Sequence, residues 1–117
     1  MSFDSRFVHA VPTADTPTLF ECRGFLRALQ LAVRETRTLY AYEADRKGRR
    51  VLVVKPLGVV RPWAHIGVRN DDDDTFGYTW EDRCDLPGVP ADGSIIGPVS
   101  DVEAVAAVIL RVFEERP

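Results

Sequence analysis

Residues 63–81, WAHIGVRNDDDDTFGYTWE, read as two strands joined at a run of four aspartates, Asp71 to Asp74. Phe76, Tyr78 and Trp80 alternate with Thr75, Gly77, Thr79 and Glu81, the period of a strand with one buried face. Two registers fit the hairpin. If Arg69 pairs with Phe76, then Gly67 faces Tyr78 and His65 faces Trp80, which gathers Trp63, His65, Tyr78 and Trp80 on one face. A shift of one residue sends the aromatic trio to the opposite face, into a core with Ala64, Ile66 and Val68. The alternation favours this second register.

The same β-branched and aromatic runs, broken by turn residues, extend on the N-terminal side: Leu39 to Ala44, Arg50 to Lys55, Val59 to Val68 and Thr75 to Asp82. They predict a four-stranded antiparallel meander. Gly48, in the turn from Asp45 to Arg49, can take the positive φ that a tight hairpin needs. Beyond Cys84, three prolines and three glycines predict a long loop over residues 84–99, with at most a short strand at Ser94 to Ile96.

A helix flanks the meander at each end. The first starts either at Thr16-Pro17 or at Thr18, whose hydroxyl and Glu21 form a capping box, and runs to about Glu35. Leu19, Cys22, Phe25, Leu26, Leu29 and Val33 form its core stripe at the helical period. Phe20, Gly24, Ala28 and Leu31 make a second, shallower apolar seam turned away from that stripe. Ser100 with Glu103 predicts a second capping box, opening a last helix that reaches about Arg116. Its apolar residues, Leu110 among them, cover an arc of about 200°, wider than the ~100° of a one-sided surface helix, so it packs on two surfaces.

The expected architecture is therefore a two-layer α+β domain over residues 1–117, both helices on one sheet face, with residues 1–15 as an irregular arm. A chain of 117 residues with 45% hydrophobic content is long enough for one core without disulfides. No N-terminal leader or apolar run long enough for a membrane span is present, which predicts a cytoplasmic protein without membrane contact. Net charge is -3, and the cations are 13 Arg and 2 Lys, a bias in keeping with high-GC bacterial codon usage. An acidic balance gives no sustained field for a phosphate backbone, so nucleic acid is not an expected partner.

Chemistry is sparse. Cys22, Cys84, His9 and His65 lack the short spacings of a zinc site, and Asp71 to Asp74 lack the glycine and distal glutamate of a calcium loop, so neither metal nor cofactor is expected. Cys84 lies between acidic neighbours, Asp82 and Asp85, which disfavours a reactive thiolate. There is no serine elbow, phosphate loop or dinucleotide fingerprint. His65 with Glu81 or Asp82 is the one acid–base pairing the strands can assemble. Two functions remain in view. The first is a non-enzymatic interaction or regulatory module, self-associating as a homodimer or binding a protein partner, through Phe20, Gly24, Ala28 and Leu31 or around Leu110. The second is a small-molecule-binding protein or minor enzyme using Trp63, His65, Tyr78, Trp80 and Glu81.

Overall fold

The structure, a computed structural model, describes residues 18–58, 63–70, 75–81 and 93–114. Its elements run α1 (Leu19–Arg34), β1 (Leu39–Arg46), β2 (Arg49–Pro56), β3 (Ala64–Asn70), β4 (Phe76–Glu81), β5 (Ile95–Pro98) and α2 (Val102–Glu114). The arm 1–15, Val59 to Pro62, the aspartate run Asp71 to Asp74, Asp82, Cys84 and most of the loop that follows lie outside the described residues.

Five strands form one antiparallel sheet in the order β1-β2-β3-β4-β5, and both helices pack on one of its faces, as an α+β fold. The meander expected from sequence gains a fifth edge strand. It begins one residue later than the short segment expected at Ser94 to Ile96 and pairs with β4 through a bulge between Tyr78 and Thr79. The β1–β2 turn is tighter than a five-residue loop: Arg46 pairs with Arg49, and Lys47 and Gly48 both have positive φ, 53° and 78°. Positive φ at both central residues is the twist-matched hairpin turn, in which glycine is favoured and lysine is unusual.

Of the two α1 starts, the structure has the one at Thr18. Its hydroxyl accepts from Glu21 N at 3.1 Å while Glu21 Oε1 accepts from Thr18 N at 3.0 Å, so two otherwise unpaired donors are satisfied reciprocally. The second cap differs from the expected one. Asp101, not Ser100, closes the start of α2, its carboxylate accepting from Ala104 N at 3.3 Å, because Ser100 is still in the turn in which Asp101 N donates to Pro98 O.

Register settles the core. Val68 pairs with Tyr78 and Ile66 with Trp80, so the β4 aromatics join Ala64, Ile66 and Val68 beneath the helices, where Tyr78 and Trp80 are 0% and 3% exposed. Leu26, Leu29 and Val33 of α1 and Val105, Ile109 and Phe113 of α2 close this core from above. The Tyr78 hydroxyl donates to Phe25 O at 2.7 Å, linking β4 to α1, and burial pushes its pKa up to about 12. Gly97 lets α2 sit close on β5, since a Cβ there would lie 2.8 Å from Val105 Cγ2. Cys22 is buried beside this core, and burial pushes its thiol pKa up despite the nearby Arg49.

Trp80→Ala empties a fully packed site and should lower stability by about 3 to 5 kcal/mol, read from urea unfolding. A loss below about 1 kcal/mol would mean that Trp80 is not in the core.

Candidate functional site

The register that buries Tyr78 and Trp80 turns their strand neighbours to the helix-free face. His65 pairs with Glu81 and Gly67 with Thr79, and the sequence-derived ligand set is divided: Trp63, His65 and Glu81 share one face, Tyr78 and Trp80 the other. This is the register that the alternation favours, and the alternative that gathers Trp63, His65, Tyr78 and Trp80 on one face is not formed, because side chains on one strand alternate and the pairing fixes their phase.

On the helix-free face the half-buried Trp63 stacks on the buried His65, ring centroids 4.4 Å apart and planes at 25°. Beside them Glu81 is 6% exposed. Arg69 Nε donates to Glu81 Oε2 at 2.7 Å and Arg69 Nη2 to Oε1 at 2.9 Å, a two-pronged pair, while the Thr79 hydroxyl donates to Oε2 at 2.6 Å. Arg49 Nη2 lies 3.9 Å from Oε2 and donates to Val68 O at 3.3 Å.

Gly67 makes this arrangement possible. A Cβ at residue 67 would stand 2.5 Å from Glu81 Cγ and 3.0 Å from Cδ, so the carboxylate lies across the β3 backbone through space that any side chain would fill. Burial alone would push the Glu81 pKa up; hydrogen bonds from Arg69 and Thr79 and the charges of Arg49 and Arg69 more than reverse this and hold it below the ordinary value. A carboxylate held so is a poor proton acceptor at neutral pH, and both its oxygens are taken up by Arg69 and Thr79. Sequence reading missed Arg69, Thr79, Arg49 and Gly67. Their signal was the i, i+2 spacing of Gly67-Arg69 against Thr79-Glu81, which becomes a contact only once the register is known.

The residues expected at an interface are placed differently. Phe20 and Leu31 are 88% and 51% exposed, Gly24 has open space around its Cα, and Ala28 is exposed. By the helical angle Phe20 and Leu31 point about 150° to 170° from the centre of the Cys22, Leu26, Leu29, Val33 stripe, with Gly24 and Ala28 about 20° to 60° further round. A shallow open depression on the first turns is lined by Phe20, Glu21, Arg23, Gly24, Phe25, Arg27 and Glu43. Leu110 is half-buried and packs against the core, so the second apolar surface of α2 is met largely inside the molecule, against α1.

No group of three or more His, Cys, Asp or Glu able to hold a metal occurs among the described residues, and none of their helices is long and apolar enough to cross a membrane. Comparison with protein-family models, curated proteins and solved structures finds no match.

Glu81→Gln should destabilise the fold by about 1 to 3 kcal/mol at pH 7, since it weakens charged hydrogen bonds and leaves two guanidinium groups facing an amide. The folded Glu81 pKa lies below the ordinary value of 4.5, so its contribution is present above about pH 4.5 and is lost as pH falls through the folded pKa. Urea midpoints of the two proteins should therefore converge as pH is lowered below that value. A constant gap down to about pH 2 would contradict this assignment.

Proposed function

We propose that this chain is a non-enzymatic protein-interaction module that self-associates through the outer side of α1, without a cofactor and in the cytoplasm. The observation that carries this reading is the exposure of Phe20 and Leu31 on a helix whose opposite side is fully engaged in the core. Burying such a side chain is worth roughly 1.5 to 3 kcal/mol. Four of them in a symmetric pair yield about 6 to 12 kcal/mol gross, against roughly 4 to 15 kcal/mol lost on association. The two ranges overlap, so the dimer is weak and concentration-dependent.

The second reading, small-molecule binding beside Trp63, His65 and Glu81, is supported by the stacked Trp63–His65 pair. It is weakened by the withdrawal of Tyr78 and Trp80 into the core and by the engagement of Glu81 with Arg69 and Thr79.

Light scattering over a concentration series should show mass rising toward a dimer, and Phe20→Glu or Leu31→Glu should abolish the rise with little change in thermal midpoint. Leu110→Glu should instead lower the midpoint, because its side chain packs on the core. A wild-type protein that stays monomeric at high micromolar concentration overturns the reading.

A further inference from the structure

The charges on α1 are sorted by side. At 100° per residue, Arg23, Arg27 and Arg34 lie roughly 55° to 95° to one side of the Phe20, Gly24, Ala28, Leu31 line, and Glu21 and Glu35 lie about 25° to 65° to the other. All five are exposed, none of the three arginines forms an ion pair with another described residue, and Glu21 gives only Oε1 to the Thr18 cap, with no described residue on Oε2. The carboxylates elsewhere on the helical side of β1 are already engaged: Glu43 and Asp45 each hold Arg50 at 3.2 Å.

This sorting bears on how two copies can meet. A two-fold axis perpendicular to the helices makes them antiparallel and brings like flank to like flank, so Arg23 and Arg27 of one copy face those of the other across the centre of the contact. A two-fold axis along the helices makes them parallel and brings the arginine flank of each onto the glutamate flank of its partner. Arg23 then lies within about 3 Å of axial rise of Glu21 of the other copy, and Arg34 within about 1.5 Å of Glu35. The apolar line is accommodated equally in both arrangements, with Gly24 and Ala28 leaving room for close approach at the middle. Charge therefore decides, since complementary potentials fix register and like charges in contact are penalised.

We infer that the occupant of this surface is a second copy of the chain whose α1 runs parallel to the first, with the arginine side of each helix against the glutamate side of the other. The inference rests on self-association through α1 and adds its geometry and its dependence on salt. Exposed pairs of this kind are screened over a Debye length of about 8 Å at physiological ionic strength, so the dimer weakens as salt is raised.

Two measurements test this. Arg23→Glu, followed by sedimentation equilibrium, should raise the dissociation constant about two- to tenfold, because the new charge meets Glu21 of the partner. In the antiparallel arrangement the same change relieves arginine repulsion and tightens the dimer. The second is the distance between nitroxides on Thr38→Cys, in a protein whose Cys22 and Cys84 are replaced by Ala and Ser. Thr38 lies just beyond the end of α1 at Arg34, so the two labels stand at the same end of the pair in the parallel arrangement and at opposite ends, at least about 25 Å apart along the axis, in the antiparallel one. A tighter Arg23→Glu dimer or the long distance overturns the parallel geometry while leaving self-association intact. Absence of any inter-label distance, with monomeric mass at high micromolar concentration, overturns both.

Discussion

The pairing of Val68 with Tyr78 and Ile66 with Trp80 is the constraint on which the rest of the molecule depends. A strand presents alternate residues to opposite faces, so one residue of slip would exchange everything on β4. In the observed register Tyr78 and Trp80 fill the space under the helices, and the Tyr78 hydroxyl reaches the α1 backbone at Phe25. The slipped register would place Gly77, Thr79 and Glu81 beneath α1 and α2, leaving a void and a charge where two aromatic rings now sit.

The same register assembles the cluster on the other face. Glu81 is almost fully withdrawn from solvent, a position that disfavours a carboxylate, yet Arg69 and Thr79 hold it ionised. Breaking such a cluster strands a buried charge, which penalises competing registers more than it stabilises this one. Gly67 belongs to the same device, since it is the absence of a side chain there that lets Glu81 reach Arg69. Hydrophobic packing on one face and ion pairing on the other thus specify a single alignment of β3 and β4.

Much of this was legible in the sequence where a period of two or 3.6 was strong. The α1 capping box at Thr18 and Glu21, the stripe through Leu26, Leu29 and Val33, and the alternation of Phe76, Tyr78 and Trp80 each pointed to the element that formed. The α2 cap was displaced by one residue because Ser100 and Asp101 are both good caps, and the choice is made by the turn that ends β5. The site was harder to read. Trp63, His65 and Glu81 were singled out, but Arg69, Thr79 and Arg49 become their neighbours only through cross-strand contacts, and single-strand patterns do not encode which residue lies opposite. Phe20 and Leu31 were legible as a seam, because an apolar residue opposite a core stripe stands out in a helical projection; the wide apolar arc of α2 was legible too, but not which element would meet each side of it.

The separation of these roles bears on the proposed function: among the described residues both sheet faces are occupied by packing or ion pairs, while Phe20 and Leu31 on the outer side of α1 stand exposed. Since this division follows from how β3 and β4 align, side-chain nuclear Overhauser contacts across that pair test it most directly. The observed register requires contacts between the Ile66 methyls and the Trp80 indole and between the Val68 methyls and the Tyr78 ring, residues opposite one another with Cβ atoms about 4.5 to 5.5 Å apart. Contacts from the His65 ring to the Trp80 indole and from the Gly67 α-protons to the Tyr78 ring would establish the slipped alignment and contradict this account.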